Sequence, residues 1–377
     1  MFVSVMQEQL AKGLSMVSRA VDSRPTLPVL NNVLLSTEDA RLKLAATNLE
    51  LTIVSYIGAK VNQPGAITLP AKTLGELVSN LSPERVDMQL DSATLSMRVM
   101  CGTTRSDIKG ISGAEFPPIP DEMDADLSIP GRTLRDMINQ TAFAAAKEDS
   151  RPILTGLLTR LEDNTITMAA ADGYRLAVRS AQIEQHFAQP RDLVIPARSL
   201  LEVARIIGDD DEPVGITLPG KRDLVMFYIK NTVVSSQILE GRFPDFNSII
   251  PRNYSTSTVV YTDDLLRACK RAEIFARDSA NSARVFIKPP ARANEPGEVV
   301  VVGRSAERGE NEGMLDAAVE GEPLEASFNI RYLIDALGVM PNERVVLQSN
   351  GSAHPGVLRP EDSDNFIYVL MPMATQR

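Results

Sequence analysis

The chain repeats one pattern three times, and this repetition constrains its fold more than any other feature of the sequence. A Pro-Ala pair followed by a basic residue occurs at Pro70–Lys72 and again at Pro196–Arg198, 126 positions later. A weaker third copy, with asparagine in place of proline, begins at Asn329. A period of this length exceeds a solenoid repeat and matches a whole domain. The sequence therefore predicts three similar domains within 377 residues.

A second set of prolines marks the end of each repeat. Pro117, Pro244 and Pro372 each follow an apolar residue and lie 127 and 128 positions apart. Within a repeat, helical periodicity alternates with short strand-like runs that are bounded by Asn, Asp and Gly, which favours an α+β fold with two helices packed on antiparallel sheets. We predict helices at 6–20, 71–81, 131–147, 197–207, 262–277 and 329–340, and domains at 1–122, 127–251 and 257–377.

Composition excludes several classes of function. The chain has no run of about 18 apolar residues and its N-terminus lacks a signal-peptide pattern, so we expect a cytoplasmic protein. Cys101 and Cys269 lie in different repeats and are expected to be free thiols. With two cysteines and two histidines, a metal site is not expected. Neither a glycine-rich phosphate loop nor a nucleophile elbow is present, so we expect no cofactor.

Charge is distributed unevenly along the chain. The net charge is −10, yet the six predicted helices together carry five excess positive charges, which leaves fifteen excess negative charges elsewhere. Positive helices on a negative protein would suit a shared polyanionic ligand. The same excess would arise if Lys and Arg simply decorated solvated helix faces, because both are good helix formers. Charge alone leaves both interpretations open.

Four separated motifs resemble the bacterial DNA sliding clamp, the beta subunit of the replicative DNA polymerase. They are RPTLPVL at 24–30, ADGYRLAV at 171–178, GRFPD at 241–245 and YVLMPM at 368–373. The resemblance extends from residue 1 to 373 with matching spacing between the motifs. It implies a head-to-tail homodimer whose three-domain protomers close into a ring around duplex DNA, with helices lining the hole. It also implies a processivity factor for DNA replication that is not itself an enzyme.

The resemblance and the charge distribution together indicate where DNA is contacted. Arg24 and Arg151 occupy matching places in the first and second repeats, 127 positions apart, after the first helix of each. Contacts to the DNA backbone from such positions would be independent of base sequence. The predicted DNA-facing set is Lys12, Arg24, Lys72, Lys147, Arg151 and Arg198.

The resemblance also implies a hydrophobic cleft that binds short linear motifs of the polymerase, the clamp loader and other partners. Taken alone, the segment 368–373 would equally fit a buried edge strand. The chain departs from the family at Tyr174, where histidine is frequent, and at Ser248, where a basic residue can occur. The matching cleft positions are Leu154, Gly173, Tyr174, Arg175, Leu176, Pro244, Ile249, Val369, Leu370, Met371, Pro372 and Met373.

A dimer interface is implied between a basic edge of the first domain and an acidic edge of the third. Thr103 and Ser106 stand where relatives more typically have basic and aromatic residues, so the interface is expected to be less charged than in some of them. The matching positions are Arg105, Ile108, Ile274, Phe275, Glu307, Glu310 and Glu312.

Two other classes of function remain to be weighed against a clamp. A small-molecule enzyme with its site between two repeats is disfavoured, because the metal ligands and nucleophile motifs of such enzymes are missing. A peptide-binding scaffold that never contacts DNA is consistent with the same residues. A dimer of the 41.1 kDa chain would support the ring, whereas a monomer would favour the alternatives.

Overall fold

The fold alternates short helices with antiparallel strands along the chain. A computed structural model describes residues 1–21, 27–120, 124–148, 150–220, 223–292 and 295–374. In these ranges the chain forms six α-helices: α1 (Gln7–Val17), α2 (Ala71–Ser79), α3 (Gly131–Ala142), α4 (Ala197–Ile207), α5 (Thr262–Ala276) and α6 (Ile330–Leu337). The strands are β1 (Phe2–Met6), β2 (Asn32–Glu38), β3 (Arg41–Thr47), β4 (Leu51–Gly58), β5 (Lys60–Gln63), β6 (Ala66–Pro70), β7 (Arg85–Asp91), β8 (Ser96–Cys101), β9 (Thr104–Lys109), β10 (Ile111–Ser112), β11 (Leu127–Pro130), β12 (Gly156–Ala171), β13 (Arg175–Pro196), β14 (Pro213–Thr217), β15 (Leu224–Ile229), β16 (Thr232–Gln237), β17 (Thr256–Tyr261), β18 (Ser282–Lys288), β19 (Gly297–Ser305), β20 (Gly309–Gly321), β21 (Leu324–Asn329), β22 (Arg344–Ser349), β23 (Gly356–Pro360) and β24 (Phe366–Leu370).

Local sequence signals set the ends of the helices. α2 and α4 begin directly after Pro70 and Pro196, where the missing N–H costs no helical hydrogen bond. The prediction that the third helix continues to 147 was wrong, because α3 ends at Ala142. At that point the hydroxyl of Thr141 donates to the Met137 carbonyl (2.7 Å), and the chain turns so that Ala144 N–H donates to the Thr141 carbonyl (3.0 Å). Lys147 therefore lies in the loop after the helix.

One compact unit comprises Met1–Arg135 and Arg198–Ile238. It holds a five-stranded antiparallel sheet of order β5-β1-β7-β8-β9 and a nine-stranded sheet of order β10-β6-β2-β3-β4-β16-β15-β14-β11. β4 pairs with β16, with Val54 opposite Val233, and this pairing joins the first sequence repeat to the second. Both residues belong to an apolar cluster with Leu34 and Met226, so the two repeats share a core as well as a sheet.

The other unit comprises Asp136–Ala197 and Leu239–Arg377. Its ten-stranded sheet has the order β12-β13-β24-β23-β22-β17-β20-β19-β18-β21. β13 pairs with β24, with Leu176 opposite Val369, and this pairing joins the second repeat to the third. Each predicted boundary between repeats is thus crossed by continuous main-chain hydrogen bonding, and the middle repeat contributes to both units. The observed architecture is α+β, as predicted; the exact domain boundaries stay a prediction.

Both cysteines are buried free thiols, Cys101 in the first repeat and Cys269 in the third. Among the described residues, no group of three or more His, Cys, Asp or Glu side chains is arranged to hold a metal ion. Within the same ranges, no α-helix is both long and apolar enough to span a bilayer.

Candidate functional site

A tight turn between β12 and β13 forms the centre of the site. The Asp172 carboxylate accepts hydrogen bonds from the backbone N–H groups of Tyr174 (2.9 Å) and Arg175 (3.1 Å). Gly173 has a φ of +94°, a conformation that L side chains rarely adopt, so the turn depends on glycine. The turn leaves the Tyr174 side chain 64% exposed.

An apolar pocket of about 70 Å³ opens beside this turn. Leu176 and Val369 are 1% exposed and form its floor, whereas Ile249 and Met371 are 39% and 42% exposed and form its rim. The N–H of Met371 donates to the Tyr174 carbonyl (2.9 Å), which fixes the chain after β24 against the turn. Exposed apolar side chains around a buried apolar floor are suited to the anchor residue of a bound peptide.

The structure brings together seven of the twelve predicted cleft residues around this pocket. They are Gly173, Tyr174, Arg175, Leu176, Ile249, Val369 and Met371. Leu154 lies in the apolar cluster that includes Leu176 and Val369, so it supports the floor from within. Pro244 is exposed and Pro372 is half-buried, and neither lines the pocket.

Leu370 and Met373 are not placed in the pocket. Successive side chains of a strand point to opposite faces, and Val369 faces the apolar cluster, so Leu370 faces the other side of β24. After Met371 the chain leaves the pocket: Met373 N–H donates to the Ser327 carbonyl (2.7 Å). Met373 lines a separate cavity with Asp278.

A second, polar pocket of about 340 Å³ adjoins the apolar one. Tyr174 and Arg175 line both pockets, so the turn forms the wall between them. Lys147 and Arg151 add positive charge to the polar pocket, and Tyr332 of α6 adds an aromatic face. Sequence reasoning did not assign Tyr332 to the cleft, because no motif near it in the sequence marks it.

Arg175 is a buried cation at the junction of the two pockets. Its guanidinium donates to Asp172 through Nε (2.9 Å), to Asp335 through Nη1 (2.8 Å) and to the Phe143 carbonyl through Nη2 (2.7 Å). Its Cζ lies 4.1 Å from the centre of the Tyr332 ring. Burial lowers the pKa of Arg175, but the hydrogen bond to Asp335 and the charge of Asp172 outweigh burial and leave the pKa raised.

The predicted DNA-facing residues are exposed wherever the structure describes them. Lys12, Lys72 and Arg198 lie on α1, α2 and α4. Among the described residues, the only carboxylate within 4.0 Å of any of these three cations is that of Glu76, which pairs with Lys72. Lys147 and Arg151 lie in the loop between α3 and β12, and Arg24 lies outside the described residues. An ideal Cβ at Gly173 would approach Arg151 Nη2 to 3.2 Å, so Arg151 lies directly beside the turn of the cleft. The contacts of these residues with DNA stay a prediction.

Four of the predicted interface residues lie on two strand edges that are open among the described residues, Arg105 and Ile108 on β9 and Glu310 and Glu312 on β20, whereas Ile274 and Phe275 lie on α5 and Glu307 lies in the turn before β20. β9 is the last strand of its sheet and exposes Arg105, but Ile108 is only 7% exposed because its side chain points into the core of its own protomer. Among the described residues, the first part of β20, Gly309–Ala317, pairs with β19 on one side only. The acidic and apolar candidates from the third repeat are exposed or half-buried: Ile274, Phe275, Glu307, Glu310 and Glu312. Met314 on β20, which the sequence analysis did not select, is 57% exposed.

Comparisons with known proteins match this arrangement along the whole chain. Family models of the DNA polymerase III beta subunit match at residues 1–120 (N-terminal domain), 128–245 (central domain) and 247–374 (C-terminal domain). The beta sliding clamp of Haemophilus influenzae is 31% identical over 98% of this chain and 99% of its own length, and that of Bacillus subtilis is 29% identical over 99% of each.

Solved structures of sliding clamps have the same fold. The clamp from Bacillus subtilis superposes with a TM-score of 0.94 at 28% identity and covers 100% of both chains. A Pseudomonas aeruginosa sliding clamp bound to griselimycin superposes with a TM-score of 0.91 at 29% identity, again over 100% of both chains. The predicted fold class and the resemblance stated from the motifs are therefore confirmed, and the chain belongs to the bacterial beta sliding clamp family.

Proposed function

We propose that the protein is a DNA polymerase processivity clamp that acts in the cytoplasm as a head-to-tail homodimeric ring around duplex DNA. Its three repeats, 1–122, 127–251 and 257–377, would supply half of that ring. Beta sliding clamps are accessory subunits of DNA polymerase III and do not carry its catalytic site. A ring that slides on DNA and binds the polymerase raises the local concentration of polymerase at its template without any chemical step.

The observation that carries the proposal is the open apolar pocket at Leu176, Val369, Ile249 and Met371. We expect a short partner segment of the form Gln-x-x-Leu-Phe to insert its apolar end here, against Leu176, Val369 and Met371. Methionine is adaptable, so Met371 suits a surface that accepts several partners. The replicative polymerase, the clamp loader and other clamp-binding proteins would share it.

The adjoining polar pocket supports the same mode of binding. A segment that inserts its Leu-Phe end at the apolar pocket would extend past Tyr174, and its glutamine would then lie toward the polar pocket. Lys147 and Arg151 line that side together with Glu148, and the net positive charge of these three exposed residues would favour acidic residues flanking the motif. The apolar anchor of the peptide and the polar residues that would give specificity thus meet opposite sides of the Asp172–Tyr174 turn.

The two open strand edges support head-to-tail assembly. β9 of one protomer and the first part of β20 of the other each lack a neighbour on one side within the described residues, and unpaired edges are templates for strand pairing. Arg105 on one edge and Glu310 and Glu312 on the other have opposite charges. Two unlike edges joined twice by a two-fold axis would close a ring in which β9 and the first part of β20 each gain a neighbour.

Titration of a fluorescein-labelled peptide ending in Gln-Ala-Ser-Leu-Phe tests the proposal. Leu176 is a core residue, so the exposed rim is the better place for a charge, and Ile249→Asp is expected to weaken binding by about 2 kcal/mol, as loss of an anchor residue typically does. Leu49→Asp, at a residue of similar exposure in the β3–β4 turn, is the control and should bind as the wild type does. Equal affinity of Ile249→Asp and the wild type would rule out this pocket as the peptide site.

A further inference from the structure

The buried guanidinium of Arg175 directs three of its five N–H groups to acceptors within the protein. Each of its three nitrogens already donates a hydrogen bond, to Asp172, Asp335 and the Phe143 carbonyl, and the residue is 7% exposed. Tyr332 covers one face of the group at 4.1 Å. A side chain held in this way presents little surface to a ligand, although the resemblance placed it among the cleft contacts.

The contacts of Arg175 connect three separate segments of the chain. Asp335 and Tyr332 belong to α6, Phe143 follows α3, and Asp172 begins the turn between β12 and β13. The same Asp172 carboxylate also accepts the N–H of Tyr174. Through this carboxylate, the orientation of the turn is tied to α6.

The same turn is hydrogen-bonded to the rim of the apolar pocket. The carbonyl of Tyr174 accepts the N–H of Met371 (2.9 Å), and the Tyr174 side chain forms the wall between the two pockets. A chain of charge-assisted and main-chain hydrogen bonds therefore runs from Asp335 through Arg175 and Asp172 to Met371. Charge-assisted hydrogen bonds such as those of Arg175 to Asp172 and Asp335 are about twice as strong as bonds between neutral groups.

We infer that Arg175 is a positioning residue, which preforms the wall of the peptide cleft by fixing the Asp172–Tyr174 turn to helix α6 through Asp335. This inference rests on the proposed function, since it assigns a role within the same cleft. A preformed wall loses less conformational freedom when a peptide binds, so the ion pair increases affinity without touching the peptide.

Substitution of Asp335 distinguishes positioning from direct contact. Asp335→Asn keeps the shape of the side chain but removes its charge, and positioning predicts that the peptide ending in Gln-Ala-Ser-Leu-Phe binds about three- to tenfold more weakly. Direct contact predicts the reverse: a guanidinium released from Asp335 would be freer to meet the peptide, and affinity would be equal or higher. Asp264→Asn is the matched control, because Asp264 also lies on a helix, pairs with an arginine and has a side chain of similar exposure.

A double variant separates positioning from a general loss of structure. Arg175→Lys removes the planar fork and is expected to weaken binding by at least about tenfold, whereas combining it with Asp335→Glu, which lengthens the acid toward the ammonium, should recover part of the loss. All affinities are measured below the onset of unfolding of each variant, as followed by circular dichroism. If affinity follows thermal stability and the double variant shows no recovery, or if Asp335→Asn binds as tightly as the wild type, the positioning role is overturned.

Two variants together distinguish failure of the positioning role from failure of the cleft assignment. Ile249→Asp probes the pocket and not the ion pair. If Ile249→Asp abolishes binding while Asp335→Asn does not change it, the cleft stands and the positioning role fails. If neither changes binding, the proposed peptide site fails as well.

Discussion

At the scale of single residues, the turn of the cleft depends on Gly173. Gly173 has a φ of +94°, so a Cβ at this position would strain the backbone and would also approach Arg151 Nη2 to 3.2 Å. We expect Gly173→Ala to lower the free energy of unfolding by about 1 kcal/mol or more and to weaken peptide binding.

Gly75→Ala is the matched control for that substitution. Gly75 lies within α2, and a Cβ there meets nothing within 4 Å. Alanine in a helix interior is favoured over glycine by about 0.5–1 kcal/mol, so this variant should be more stable than the wild type. Urea denaturation measures both variants, and the same sign of change at the two positions would contradict the argument.

The two thiols should be chemically silent in the folded protein. Burial raises the pKa of Cys269 to about 12 from its ordinary value of 9.0, so the thiol stays protonated. Because the folded pKa is the higher one, its contribution to stability is complete below pH 9 and is lost as the pH rises from about 9 to about 12. In Cys101→Ala, which isolates Cys269, Ellman's reagent should react at pH 8 only as fast as urea unfolds the chain. Rapid reaction without urea would show that Cys269 is accessible.

At the scale of secondary structure, the sequence predicted the helices better than the partners of the strands. Pro70 and Pro196 mark helix starts through local chemistry, and the predicted helix 197–207 coincides with α4. Which strands pair depends on contacts between distant parts of the chain, so nothing near β16 indicates that it joins β4.

The same difference between local signals and long-range contacts explains which cleft residues could be predicted from the sequence. The motif 368–373 supplies Val369 and Met371 to the pocket, whereas Leu370 and Met373, which the family resemblance also implies, do not line it. Strand alternation alone would have excluded Leu370, since it follows Val369 on β24. The departure of Met373 toward Ser327 and the arrival of Tyr332 from α6 follow from packing between remote segments and have no local signal.

The open edges of β9 and β20 lead to a prediction about assembly. Met314 and Ile274 are 57% and 49% exposed and lie on β20 and α5. A buried unpaired carboxylate in an interface is strongly unfavourable, so Met314→Asp combined with Ile274→Asp should separate the dimer. Light scattering should then give a mass near 41.1 kDa, while the labelled peptide still binds. Leu49→Asp should remain a dimer; an unchanged mass for the double variant would place the interface elsewhere.

At the scale of the whole molecule, a ring would hold DNA by topology more than by affinity. Loaded protein should remain on nicked circular DNA and leave once the circle is cut, because a closed ring can slide off only at an end. Equal retention on circular and linear DNA would contradict the ring.

Lys12 on α1 and Arg198 on α4 would contribute a weak, salt-dependent attraction to the same DNA. Lys12→Ala with Arg198→Ala should reduce the slope of log affinity against log salt by about one for each DNA phosphate that the protein no longer neutralises. Lys60→Ala, an exposed lysine on β5, is the control and should leave the slope unchanged. An unaltered slope in the double variant would remove these two residues from the DNA-facing set.

The shared sheets also determine how the chain can be divided. A fragment limited to the middle repeat, 127–251, would have β16 without β4 and β13 without β24, and so would carry two bare strands at once. Each such edge can accept a strand from another molecule. A unit with two different adhesive edges joins head to tail without limit, so this fragment should grow into filaments, and the intact chain prevents polymerisation by supplying both missing neighbours itself.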